Sequence, residues 1–191
     1  MKKVLVILGH PDANSLNAAL AENYAAGARE AGKEVRMLKL GELNFDPILH
    51  SGFSRDQPLE PDLLSAQEAI KWADHLVWVY PSWWGNLPAL LKGFIDRVFL
   101  PGFAFKYRPN SPWWDRYLSG RSARILMTMD TPALYNALVY RNANINALKR
   151  ATLHFCGIKP VKVATFPGVR FAHEARRRQW LDAVKAYGKK D

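Results

Sequence analysis

The residues best suited to chemistry fall in three short segments. The first is Gly9-His10-Pro11-Asp12-Ala13-Asn14-Ser15-Leu16-Asn17, which joins an apolar run to an alanine-rich one. Ser15 and Asn17 stand where a helix would begin, and free N–H groups together with the helix dipole favour an anion there. His10 is placed to donate a hydrogen bond to a phosphate. The plainer alternative is that Ser15 only caps the helix and His10 is solvated. The second segment, Tyr80-Pro81-Ser82-Trp83-Trp84-Gly85-Asn86-Leu87-Pro88, holds two tryptophans between prolines. Rings of that size are costly to leave in water, so they stack on a planar group or a protein surface, or pack into the core. The third is the stretch from Thr128 to Asn136.

Other chemistries find no support. The chain has neither G-x-G-x-x-G nor G-x-x-x-x-G-K-[ST], which argues against a Rossmann dehydrogenase and a P-loop NTPase. It has no G-x-S-x-G of a serine hydrolase. The five histidines (10, 50, 75, 154, 173) lack metal-ligand spacing, so no metal is expected. Cys156, the single cysteine, follows an apolar stretch and reads as a buried structural thiol.

These segments need a scaffold, and the pattern supplies one. Strands are expected over residues 3–8, 34–40, 75–80, 124–129 and 161–166, the first ending at Gly9 and the third at Pro81. Helices are expected over 17–31, 63–73, 90–100, 143–155 and 173–187, the last with Arg176-Arg177-Arg178 in water. Such alternation predicts a parallel sheet covered on both faces, with right-handed crossovers. Ligands of open α/β sheets bind beyond the carboxyl ends of the strands, where all three segments fall. Two long connections, 41–62 and 101–120, mark functional or interfacial stretches.

The 191 residues fit one domain, 1–191, and 49% apolar residues suffice for a core. No apolar run approaches the roughly 18 residues of a membrane helix, and the lone cysteine suits a reducing cytoplasm. Charge is uneven. Residues 1–104 carry 10 Lys/Arg against 12 Asp/Glu, a balance of −2; residues 105–191 carry 17 against 5, a balance of +12. No nucleic-acid motif accompanies the basic half, so no nucleic-acid partner is expected.

Taken together the segments resemble the NAD(P)H:quinone oxidoreductase family, which includes DT-diaphorase and the modulators of drug activity. The residues that carry the likeness are His10-Pro11 with Ser15 to Leu20, Phe45-Asp46-Pro47-Ile48, and His154-Phe155-Cys156-Gly157. The most specific is Pro81-Ser82-Trp83-Trp84 through Pro88-Ala89-Leu90-Leu91-Lys92-Gly93-Phe94-Ile95-Asp96-Arg97-Val98-Phe99. The resemblance implies a flavodoxin-like α/β three-layer sandwich whose five-stranded parallel sheet has the order 2-1-3-4-5. It implies a non-covalent flavin, FAD or FMN, with Phe45 to Ile48 leaning to FAD.

By the same resemblance, His10, Ser15, Leu16 and Asn17 hold the flavin phosphate. Pro81, Ser82, Trp83, Trp84, Gly85 and Asn86 face the isoalloxazine ring, presenting backbone N–H groups with Trp84 at the edge. Thr128, Met129 and Asp130 cover its pyrimidine side, although the family's Thr-Thr-Gly-Gly is here Thr128-Met129-Asp130-Thr131. Tyr135 is the nearest counterpart of the family's tyrosine by the hydride-transfer site, and its histidine has none. The implied activity is ping-pong hydride transfer from NAD(P)H through the flavin to quinones or similar planar acceptors. A homodimer is implied too, the aromatic connection from Phe99 to Tyr117 being buried against a two-fold partner. Two other readings share these residues: a flavin-bearing ancillary subunit of a potassium efflux system, and a non-enzymatic polyanion-binding module.

Overall fold

The first strand, β1 (Lys3–Leu8), is apolar from Val4 onward because both its faces are covered. Ser15 then caps α1 (Leu16–Glu30), its hydroxyl accepting the Ala18 N–H. β2 (Glu34–Lys39) follows, then α2 (Pro61–Trp72), opened by a proline at its first turn. β3 (His75–Pro81) is buried throughout and leads to α3 (Ala89–Val98), whose Leu91, Phe94, Ile95 and Val98 face the core. Two short strands, β4 (Phe105–Tyr107) and β5 (Trp114–Arg116), form an antiparallel hairpin. β6 (Ser122–Met129), α4 (Ala133–Leu138) and α5 (Ala143–Asn146) come next, α5 widening into a π-helical stretch over Ala147–His154. β7 (Val161–Pro167) and α6 (Glu174–Lys190) complete the chain. The computed structural model describes residues 1–191.

β1, β2, β3, β6 and β7 make one parallel sheet in the order β2-β1-β3-β6-β7. Counting only the strands of this sheet, that is 2-1-3-4-5. Alternation along β1 splits its side chains between two cores. Val4, Val6 and Leu8 pack under α1 and α6; Leu5 and Ile7 pack under α2 and α3. Helices α1 and α6 approach so closely that a Cβ at Gly27 would lie 2.0 Å from the Lys185 carbonyl oxygen.

Three expectations are corrected. The 101–120 connection, for which no strand was expected, contains the β4–β5 hairpin; runs of three residues are too short to show a period. Residues 143–155, expected as one α-helix, widen to π geometry after Asn146. Residues 133–138, where no helix was expected, form α4 behind Pro132.

The 41–60 connection has no strand or α-helix, yet it is pinned. Arg97 on α3 is fully buried and its guanidinium donates to Glu60 Oε2 at 2.8 Å, to the Pro58 carbonyl at 2.8 Å and to the Asp46 carbonyl. Gly93, one turn earlier, lets Pro47 lie against the helix: a Cβ there would sit 2.4 Å from Pro47 Cβ. Burial opposes the charge on Glu60, but the Asp46 N–H and Arg97 hold its carboxyl below the usual range.

A second buried polar cluster lies at the amino ends of the strands. The Asp191 carboxylate, 2% exposed, accepts from both Arg124 Nε and Nη2, from Lys162 at 3.0 Å and from the Tyr24 hydroxyl at 3.1 Å. His75 lies beside it, its Nδ1 2.7 Å from Ser122 Oγ and its buried Nε2 without a hydrogen-bond partner. Burial, then the charge of Lys2, pushes the His75 imidazole down to about 4.

Candidate functional site

The loops after β1, β3 and β6 converge on a cavity of about 230 Å³ at the carboxyl ends of the strands. It is lined by His10, Ser15, Leu16, Asn17, Pro81, Ser82, Trp83, Thr128, Met129 and Asp130, all anticipated from sequence, and by Val169, which was not. A cavity of similar size between Leu49–Gln57 and Leu100-Pro101 gathers none of the three chemistry-bearing segments.

The floor is the start of α1. Ser15 Oγ donates to the Asp12 carbonyl at 2.8 Å and accepts from Ala18 N–H at 3.2 Å, so this hydroxyl is committed to capping. The N–H groups of Leu16 and Asn17 have no acceptor within the chain, and the first turn of α1 carries no acidic residue. Those two donors and the positive helix end suit an anion. The Asn17 amide is buried and engaged with Thr128 Oγ1 at 3.0 and 3.2 Å, so it braces the α1 start against β6 rather than facing the cavity. His10 Nδ1 is taken up by Asp12, 2.9 Å from its N–H and 3.1 Å from its carbonyl oxygen, which leaves Nε2 as the ring nitrogen without a partner in the chain. The ring meets Trp83 edge-on, with centroids 5.5 Å apart.

This arrangement, an anion-ready helix start beside an aromatic wall at the sheet's carboxyl edge, coincides with a family-wide match. The model of the flavodoxin-like fold family matches residues 2–190. The chain belongs to that family. It is 26% identical to the ribosyldihydronicotinamide dehydrogenase (quinone) of Rattus norvegicus, covering 100% of this chain and 94% of that protein. It is 27% identical to NAD(P)H dehydrogenase (quinone) 1 of Cavia porcellus, covering 83% of this chain but spanning only 66% of that protein. Among solved structures, Smu.1420 from Streptococcus mutans UA159 superposes with a TM-score of 0.86 at 30% identity, covering 99% of this chain and 100% of that one.

Within this flavodoxin-like frame, the remaining sequence candidates lie around the rim. Ser82 N–H donates to the Thr128 carbonyl at 2.7 Å, and Trp83 N–H to the Asn86 carbonyl at 3.1 Å, so neither is free for a ligand. Trp83 and Asn86 close a tight turn whose tip, Trp84 and Gly85, has φ of 52° and 68°. Two positive φ values define a type I′ turn, strained for a tryptophan. It turns Trp84 into solvent, fully exposed, so Trp83 alone walls the cavity. Gly85 and Asn86 also lie outside the lining. A Cβ on Gly85 would come 3.4 Å from the Tyr140 ring. Tyr135 is half-exposed and meets Tyr140 edge-on at 5.3 Å, which places it at the rim and not in the cavity.

A buried amide relay holds that rim, and no motif announced it. Asn144 Nδ2 donates to Ser82 Oγ at 2.8 Å and to Asn136 Oδ1 at 2.9 Å; Asn136 Nδ2 donates to Asn142 Oδ1 at 2.9 Å. Arg141 and Asn142 both adopt positive φ at the turn it supports. Val169 enters because Gly168, with φ of 70°, turns the chain after β7, and Arg170 N–H then donates to Asp130 Oδ1 at 2.7 Å. Pro167-Gly168 after the fifth sheet strand was the available signal. Cys156 is buried and its thiol is pushed up to about 12 by desolvation. No helix is long and apolar enough to cross a membrane.

Proposed function

We propose that the chain is a flavin-dependent NAD(P)H:quinone oxidoreductase. The single observation that carries the reading is the start of α1: two unpaired N–H groups and no first-turn acid, opening into a cavity that the loops after β3 and β6 also line. That donor set fits a flavin phosphate, and it draws mainly on backbone rather than on side chains. The quinone dehydrogenases of Rattus norvegicus and Cavia porcellus support the activity. When bound, the flavin supplies hydride chemistry, taking two electrons from NAD(P)H and delivering them to a quinone in a ping-pong cycle.

The chain's own groups position the reactants. Leu16 and Asn17 N–H, with His10 Nε2, grip the phosphate end. The Asn17–Thr128 pair fixes the spacing between that grip and the β6 loop. Trp83 supplies a flat wall for a planar ring, and the N–H groups of Trp84 and Gly85 are the free donors on that side. Tyr135 is the rim hydroxyl closest in kind to a proton donor. The preference for FAD over FMN rests on the resemblance of Phe45 to Ile48. A homodimer belongs to this reading: Tyr107, Trp113 and Tyr117 stay exposed, while Phe105 and Trp114 fold back onto Phe155 of their own chain.

The test is the visible spectrum of the purified protein, with released cofactor identified by chromatography, followed by anaerobic mixing with NADH and with NADPH. A yellow protein whose colour bleaches with either nucleotide and returns with a quinone is the expected result. A preparation that stays colourless after incubation with excess FMN and FAD ends the proposal. Sedimentation as a fully active monomer near 21.7 kDa ends its dimer element alone.

A further inference from the structure

The positive charge of residues 105–191 plays no part in the reading above, and much of it is concentrated in space. Residues 131–173 contain six Lys/Arg and no Asp or Glu. Three of these cations, Lys149, Arg150 and Lys159, surround His154: burial, then their charges, lowers the His154 imidazole from its ordinary value. None of the three makes a salt bridge, and none donates a side-chain hydrogen bond within the chain.

These cations line a trough. One stretch, about 390 Å³, is bounded by Ile145, Asn146, Lys149 and Arg150 on the helical side and by Val163 and Thr165 of β7 on the other. A second stretch, about 480 Å³, continues past Lys149 to His154, Lys159, Pro160 and Val161. Lys149 and β7 belong to both. The trough therefore follows an edge strand.

β7 pairs with β6 alone, so its outer side has no strand partner. The Pro160 carbonyl accepts from Ala123 on β6, and by strand alternation the backbone groups of Val161, Val163 and Thr165 point outward. Seven residues at about 3.3 Å each give a free edge of roughly 23 Å. Cations near an edge often serve only to keep strands from pairing. The other edge of this sheet shows what that looks like here. On β2, Lys39 is paired with Glu22 at 3.9 Å and Glu42 at 3.5 Å, and Arg36 covers the Trp72 ring at 4.1 Å. Lys162 of β7 is likewise paired, with Asp191 at 3.0 Å, whereas Lys149, Arg150 and Lys159 beside β7 have no such partner.

From this coincidence we infer that the β7 edge is a docking site for an extended acidic segment of a partner protein. The segment adds as a sixth strand, its backbone pairing with Val161, Val163 and Thr165 and its alternate carboxylates facing Lys149, Arg150 and Lys159. A nucleic acid or a lipid surface would use the charge but not the open hydrogen-bonding edge. Only an extended peptide uses both. The inference does not depend on a bound flavin.

The test uses an eight-residue fluorescent peptide alternating Glu and Val, titrated with the whole protein and read by anisotropy. Saturable binding is expected, with no binding of the Lys/Val counterpart and loss of affinity when one central Val is replaced by Pro. The double substitution Lys149→Glu/Arg150→Glu, at one half-buried and one exposed position, should weaken binding by at least about tenfold. Lys39→Glu on the opposite edge should leave it unchanged, and circular dichroism confirms that both variants fold. Absence of saturable binding overturns the inference. So does competition by a short oligonucleotide or polyphosphate combined with full binding of the Pro peptide, which would reveal a cationic surface with no use for the strand edge.

Discussion

Replacing His75 with Asn should flatten the acid side of the stability profile, and the size of the effect follows from the burial of one imidazole. His75 has a side chain 3% exposed, packed among Tyr24, Ser122, Arg124 and Asp191, with Lys2 and Lys33 also raising the local potential. Unfolded, it titrates at its ordinary 6.5; folded, it is pushed down to about 4. Between those values the unfolded chain binds a proton that the folded chain refuses, so stability falls as pH falls. From about pH 8 to about pH 5, that difference removes about 2 kcal/mol. Asp191 acts in the same direction, since burial opposes its charge but Arg124 and Lys162 hold it well below the carboxylate range; its contribution disappears only under stronger acid. Above about pH 5 the carboxylates contribute little, and His154, whose imidazole burial also lowers, contributes equally to the parent and the variant. Asn keeps a polar group in reach of Ser122 and does not titrate. Urea unfolding of both proteins at the two pH values gives the double difference, in which any uniform destabilisation by the substitution cancels. The parent chain should lose about 2 kcal/mol more than the variant. Parallel losses would refute the argument, because they would mean that His75 takes up its proton in the folded state.

Arg97→Met should destabilise the chain by about 3 kcal/mol, toward the lower end of the range for breaking a buried pair because the Glu60 side chain keeps 29% of its exposure. Urea melts measure this, and a loss below about 1 kcal/mol would show that the 41–60 connection is held by something else. Gly93→Ala should cost about 1–3 kcal/mol, since the new methyl meets Pro47 and the helix cannot move away from it; a thermal melt unchanged from the parent's would contradict that close approach. Cys156 should react with a thiol reagent only at the rate of unfolding, being 2% exposed with its thiol pushed up to about 12. Rapid labelling of the folded protein would place it at the surface.

The sheet was legible because its strands are buried on both faces and so read as continuous apolar runs, Val4 to Leu8 being the clearest. Strand order was not in the periodicity; it came with the resemblance. What stayed hidden has a common physical cause. The β4–β5 hairpin, the type I′ turn at Trp84 and the left-handed turn at Arg141-Asn142 are each decided by local dihedrals and by partners distant in sequence. Trp83 and Trp84 are the same residue type side by side, yet one lines the cavity and the other points into water. Composition does not distinguish them; the sign of φ does. The Asn136–Asn142–Asn144 relay was unreadable for a similar reason: asparagines near a turn normally signal only the turn.

The most specific stretch of the sequence, Pro81 to Phe99, divides its work: Pro81, Ser82 and Trp83 line the cavity at the strand ends, whereas none of the residues from Pro88 to Phe99 does. Gly93 and Arg97 instead fasten the 41–60 connection, while Leu91, Phe94, Ile95 and Val98 fill the core. The cavity itself is defined largely by backbone: the open N–H groups at Leu16 and Asn17, the carbonyl of Thr128 that receives Ser82, and the turn at Gly168 that brings in Val169. A backbone site tolerates changes of side chain that leave its path intact. That explains how Met129-Asp130-Thr131 stands where the resemblance implies Thr-Gly-Gly. Thr128, the one residue kept there, is the one whose side chain is needed, because its hydroxyl braces Asn17. Asp130 replaces a flexible glycine with a carboxylate that fixes the Gly168 turn through Arg170 N–H. The substituted segment is thereby tied to the loop after β7, a connection that a glycine at position 130 could not make.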